Sequence, residues 1–251
     1  MSSIRQAVPN AITSFGLLLG IWSLLATAAG RFEDAAWLIL VCVIVDKLDG
    51  TVARILNASS AIGGQLDSLS DLVTFVVAPS VLWAAVLTVP GAPFASWPAA
   101  VVPYGAASVY ALAGAFRLAR FNVESDEGLF PGHFHGLATT LGGAFTMSLY
   151  LTLARHLPLD LWAPWIPPTL LGLGVLMVSG LFLPKLQRWK SRALNLFTVV
   201  NFMAVIVCVV LRVLPEYLFV LAFGYIAVGF TVANVRKPLE TGNEHDWNGN
   251  G

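Results

Sequence analysis

Long apolar runs separated by short polar connectors set the rhythm of the chain. Eight runs approach the ~20 mostly apolar residues a helix needs to cross a hydrocarbon layer: 9–29, 35–54, 67–89, 99–121, 136–155, 168–183, 196–211 and 215–235. Turn formers and charges gather between them, at 30–34, 57–64, 90–98, 124–135 and 185–192. The pattern predicts an all-α, polytopic integral membrane bundle of about eight transmembrane helices within residues 1–237. Residues 238–251 are polar and read as a disordered tail. Ala26-Thr27-Ala28 imitates a signal-peptide cleavage site, but further runs follow throughout, so 17–29 reads better as the body of the first helix.

Composition agrees. Hydrophobic residues make up 57% of the 251 positions and charged residues 11%, against roughly 25% charged in a soluble domain. The 14 Lys+Arg balance the 14 Asp+Glu, so no net field recruits nucleic acid. Cys42 and Cys208 lie inside apolar runs, where a thiol packs as a small hydrophobe and no disulfide framework is implied.

Positive charge chooses a side. With a cytoplasmic N-terminus, Arg5, Arg54, Arg117, Arg120, Lys185, Arg188, Lys190, Arg192, Arg236 and Lys237 fall inside, and Arg31, Arg155 and Arg212 outside. That bias predicts a protein of the cell's inner or plasma membrane with both termini cytoplasmic. It also accounts for the basic stretch 185–192. Tryptophans such as Trp162, Trp165 and Trp189 fall near the expected interfaces, where aromatic anchoring is ordinary.

Acidic residues break the apolar pattern in one place. The second run carries Asp46, Lys47, Asp49 and Arg54, and the third is expected to open with Asp67 and Asp71. Ionised groups at membrane depth are expensive and mark function by default. Asp46 and Asp49 are three apart, with Gly50 and Ala53 continuing their helical stripe, and Asp67 and Asp71, four apart, share a face of the next helix. Four converging carboxylates in a partly dry space repel one another unless cations neutralise them. An all-carboxylate set suits magnesium, manganese or calcium better than zinc, and a pair of such ions is the recurring clamp for displacement at phosphorus. Two other readings exist: salt bridges to Lys47, Arg54 and Arg117, or a proton path in a transporter. The first gives no reason for Gly and Ala at fixed offsets, and the second more often puts its acids at the bilayer midplane.

Asp46-x-x-Asp49-Gly50-x-x-Ala53-Arg54, eight further residues, then Gly63-x-x-x-Asp67-x-x-x-Asp71 resembles the signature of the CDP-alcohol phosphatidyltransferases at every defining position. The resemblance implies that Asp46, Asp49, Asp67 and Asp71 bind two divalent cations, Mg2+ or Mn2+, with Asp71 also the catalytic general base. It implies that Gly50, Ala53, Arg54 and Gly63 contact the CDP moiety of CDP-diacylglycerol. In the family reaction an alcohol hydroxyl attacks the phosphatidyl-linked phosphorus and CMP leaves. An alcohol is a weak nucleophile, so a positioned carboxylate has a clear role as proton acceptor.

Pro9-Asn10-x-x-Thr13, Gln65 through Asp71 with Ala78-Pro79, and Arg117-Leu118-Ala119-Arg120-Phe121-Asn122 are similar to the membrane-spanning phosphatidylserine synthases, over roughly 4–141. That branch implies L-serine as acceptor, Arg117 and Arg120 at the phosphates or the acceptor, and a homodimer in the lipid bilayer. Arginines at i and i+3 share a helical face and suit bidentate contact with phosphate or carboxylate. The plainer reading is that they flank a span. Other acceptors, among them glycerol phosphate, inositol phosphate and choline, stay open, because 134–140 lacks the Gly-Leu-Pro stretch and further prolines usual in the branch. Gly16 stands where the branch usually has Asn, and Gly16-x-x-x-Gly20 reads as a helix-packing pair. His133 and His135 fall in a connector, where a histidine is ordinarily solvated.

Overall fold

A computed structural model describes residues 2–56, 60–126, 133–184 and 192–241. Its helices follow the apolar runs one for one: α1 (Ser2–Ala28), α2 (Phe32–Leu56), α3 (Ala61–Asp71) running through a π-helical turn (Leu72–Val77) into α4 (Ala78–Thr88), α5 (Val101–Asp126), α6 (Thr139–His156), α7 (Leu159–Trp162) running through a 3-10 turn into α8 (Ile166–Val178), α9 (Arg192–Leu211) and α10 (Pro215–Thr241). The helical, polytopic expectation holds. Among the described residues, four stretches are long and apolar enough to span a membrane unaided: Ala7–Ala28, Ile62–Thr88, Val101–Glu124 and Leu159–Val178. The basic stretch expected at 185–192 lies mostly outside the described residues, as do residues 242–251 of the tail.

Several boundaries differ, each for a local reason. The third run begins at Ala61 rather than 67, because the Ser60 hydroxyl accepts the Gly63 N–H at 3.0 Å and caps α3. Asp67 and Asp71 therefore sit within a helix, and Gly63 and Gly64 in its first turn rather than in a loop. The sixth run starts earlier and stops earlier than 168–183. Pro164 and Pro167 sit in first-turn positions, where a missing N–H does no harm, and beyond Ser179 the chain turns into a strand.

Among the described residues, that strand and its partner form a short ribbon outside the helices. β1 (His133–His135) pairs antiparallel with β2 (Phe182–Pro184), Phe134 opposite Leu183. The connector histidines thus belong to a ribbon. Gly136 turns the chain out of it at φ +69, and a Cβ there would lie 2.2 Å from the Met177 carbonyl oxygen, so this turn requires glycine. The ribbon also explains why α6 starts at Thr139 instead of 136.

The π turn is held from three sides. A Cβ at Gly20 of α1 would lie 2.6 Å from Thr74 Oγ1, one at Gly114 of α5 2.6 Å from both Val76 methyls, and one at Gly143 of α6 3.1 Å from the Phe75 Cα. Pro79 leaves the Phe75 carbonyl without its α-helical donor, and the buried Tyr110 hydroxyl donates to it at 3.4 Å. Gly20 thus acts in packing, as expected of the Gly16–Gly20 pair. Behind this layer lies the apolar core, with Trp83 edge-on to Tyr150 and Trp162 at 5.6 and 6.0 Å. Cys42 and Cys208 are free and buried. α6 carries Thr and Ser within its length, and the Thr146, Ser148 and Thr152 hydroxyls each donate back to the carbonyl four residues earlier, as an apolar setting demands.

The expected outer arginines collect at one end of the bundle. Arg31 and Arg212 both pair with Asp34, at 2.8 and 2.6 Å, while Arg155 and His156 meet Glu216. The hydrogen bond from Arg31, then that from Arg212, holds the Asp34 carboxyl below its usual range.

Candidate functional site

At the opposite end, α2 and α3 converge. Asp46, Asp49 and Asp67 each offer an oxygen within 4.8 Å of the others. Asp71 joins them in lining one cleft, together with Thr13, Gly16, Cys42, Ser70 and Thr74. All four acidic residues expected to act together are therefore in one place. Asp49 is 6% exposed, so the cluster is only partly wetted.

Among the described residues, few protein cations answer this charge. Lys47 approaches Asp46 at 3.8 Å, but its side chain is 61% exposed and its ammonium stays solvated. Arg117 is buried and stacks its guanidinium 5.1 Å above the Phe121 ring. Three carboxylates in mutual reach and a fourth beside them exceed what one arginine and one loosely held lysine can neutralise. The donors are hard oxygens, and the Cys42 thiol points its S–H at the Gly16 carbonyl. Chemistry and spacing fit a hard divalent cation.

The remaining expected residues divide. Gly50 and Arg54 are exposed on α2 and Ala53 is half-buried beside them, and a Cβ at Gly50 would meet nothing within 4 Å, leaving room for a ligand beside the backbone. Gly63 serves close packing, since a Cβ there would lie 2.8 Å from Asn10 Oδ1 and 2.9 Å from Ser60 Oγ. Arg120 does not line the cleft. Its guanidinium donates to the Val178, Met177 and Ser179 carbonyls at 3.0, 3.4 and 3.3 Å, closing the C-terminus of α8, and Glu124 stands 3.7 Å away. The side chains of His133 and His135 are outside the described residues.

Sequence reasoning missed the contribution of α1. This helix carries no acid, yet the Thr13 hydroxyl lies 2.8 Å from Asp49 Oδ2 and 3.1 Å from the Pro9 carbonyl, while its own carbonyl accepts the Ser70 hydroxyl at 3.4 Å. The signal was present in Pro9-Asn10-x-x-Thr13, but spacing alone could not show which helix Thr13 faces.

Comparison with known proteins points the same way. The sequence model of the CDP-alcohol phosphatidyltransferase family matches residues 6–180. A CDP-diacylglycerol–serine O-phosphatidyltransferase of Mycobacterium tuberculosis is 31% identical over 192 residues, 72% of this chain and 62% of the relative. One of the same description from Helicobacter pylori is 29% identical over 197 residues, 76% of this chain and 77% of the relative. An archaetidylserine synthase of Methanothermobacter thermautotrophicus is 30% identical over 187 residues, covering 72% and 71%. The matched region thus spans less than two thirds of the mycobacterial protein's length.

Proposed function

Because the chain belongs to the CDP-alcohol phosphatidyltransferase family, we propose that it transfers the phosphatidyl group of CDP-diacylglycerol to the hydroxyl of L-serine, giving phosphatidylserine and CMP. The carrying observation is the carboxylate cleft, with Asp46, Asp49 and Asp67 in mutual reach and Asp71 beside them. Serine is assigned because the bacterial relatives are described as acting on it.

Asp46, Asp49, Asp67 and Asp71 hold two divalent cations, Mg2+ or Mn2+. When bound, these ions supply the positive charge that offsets the diphosphate and the departing CMP. Asp71 takes the proton of the serine hydroxyl as its oxygen bonds to the lipid-linked phosphorus, and the bond from that phosphorus to the CMP oxygen breaks. The open stripe of Gly50 and Ala53, with Arg54, receives the CDP group, and Gly63 sets the α3 turn that bounds it. Arg117, buried in α5, adds fixed positive charge for the phosphates. Arg120 reaches the acceptor only by exchanging its α8 carbonyl partners for an anionic group.

The catalytic unit is residues 1–237, with 238–251, whose first four residues continue α10, appended to it, acting as a homodimer in the inner or plasma membrane. The cleft and both termini face the cytoplasm, where CDP and serine are dissolved while the acyl chains stay in the bilayer. A second reading, the same transfer to another alcohol, is favoured by the unusual 134–140 segment. Purified protein given CDP-diacylglycerol, manganese and each alcohol in turn tests the choice by CMP release. Release with serine is expected, and release with another alcohol but none with serine overturns the assignment.

A further inference from the structure

We propose that Thr13 is a positioning residue that holds Asp49 in its cation-binding orientation and ties the acid-free helix α1 to both carboxylate-bearing helices. The inference rests on the cation role proposed for the cluster.

Thr13 is 6% exposed, and its hydroxyl has one proton and two acceptors within reach, Asp49 Oδ2 at 2.8 Å and the Pro9 carbonyl at 3.1 Å. The carboxylate is nearer and charged, so it takes the proton, and hydrogen bonds to ionised acceptors are the stronger kind. The bond occupies Oδ2 and leaves Oδ1 for a cation. It also steadies a carboxylate that Asp46 and Asp67 repel, without neutralising it as a lysine would. On its backbone side, the Thr13 carbonyl accepts from Ser70, the residue next to Asp71. One residue of α1 therefore touches the carboxylate of α2 and the segment carrying the acids of α3. Groups that orient a ligating carboxylate commonly change metal affinity about 10- to 100-fold when removed.

Thr13→Val keeps the shape and deletes the hydroxyl, and Thr13→Ser keeps the hydroxyl. The readout is Mn2+ binding to purified protein in detergent without substrate, followed by the electron paramagnetic resonance of free Mn2+. The melting temperature in chelator reports folding. We expect Thr13→Val to weaken Mn2+ binding about tenfold or more at an unchanged melting temperature, and Thr13→Ser to stay within about twofold of the parent. Unchanged binding in Thr13→Val, or equal impairment of both variants, overturns the proposal. Asp49→Asn separates the two layers: if it loses Mn2+ while Thr13→Val does not, the positioning role alone fails. If it binds Mn2+ like the parent, the cation reading fails and the positioning role with it.

Discussion

At the residue scale, the four aspartates are unequal. Asp49 is buried and hydrogen-bonded by Thr13, whereas Asp71 lines the same cleft outside the tight triad. That asymmetry fits a division between holding cations and accepting a proton. Asp71→Asn should lower CMP release by about 10²–10⁴-fold, the range associated with a general base, while leaving residual Mn2+ binding to Asp46, Asp49 and Asp67. Complete loss of binding in this variant would make Asp71 primarily a ligand. The identity of these acids was legible because an ionised group is conspicuous in an apolar run. Thr13 was not, since a hydroxyl in a helix ordinarily bonds its own i−4 carbonyl and its other neighbour is invisible in sequence. Arg120 shows the converse: its spacing from Arg117 puts both on one face, but a turn of helix separates them, and the nearer partners of Arg120 are the carbonyls ending α8.

At the scale of elements, the apolar runs anticipated each described helix, and the errors cluster where hydropathy carries no information. Ser60 capping moved the start of α3 by six residues relative to the expectation, and backbone pairing of 133–135 with 182–184 made a ribbon that alternation over three residues could not announce. Nothing in the sequence marked the π turn either, although Pro79 is part of its cause. Its packing makes a sharp prediction. Gly143→Ala presses a methyl against the Phe75 backbone, which cannot yield, so it should destabilise the protein by about 1–3 kcal/mol and depress activity by displacing Asp71 just upstream. The three atoms nearest a Gly114→Ala methyl all belong to the Val76 side chain, so pairing it with Val76→Ala should restore thermal stability in detergent. If the double variant is no better than Gly114→Ala alone, the π turn is not gripped as described.

At the scale of the whole molecule, charge is sorted to two ends. The carboxylate cleft and Arg54 near the end of α2 lie at one end, and Arg31, Arg155 and Arg212 are ion-paired at the other. Single cysteines placed at Gly30 and Lys237 should react with a membrane-impermeant maleimide from opposite sides of intact cells, the first from outside. The reverse pattern would invert the proposed orientation. Asp34 also sets a pH response. Its carboxyl is depressed in the folded state, so its contribution is present above about pH 4, the ordinary aspartate range, and is lost as pH falls further. Asp34→Asn should therefore flatten the acid limb of thermal stability without changing CMP release near neutrality.

Divalent cations held by the α2–α3 carboxylates are the centre of the proposed chemistry, and metal-dependent CMP release from CDP-diacylglycerol and serine tests them most directly. Chelator-treated protein should release no CMP, added Mn2+ or Mg2+ should restore release, and Asp67→Asn should remain inactive at any concentration of either ion. Full release in chelator, or from Asp67→Asn, would contradict the cation role.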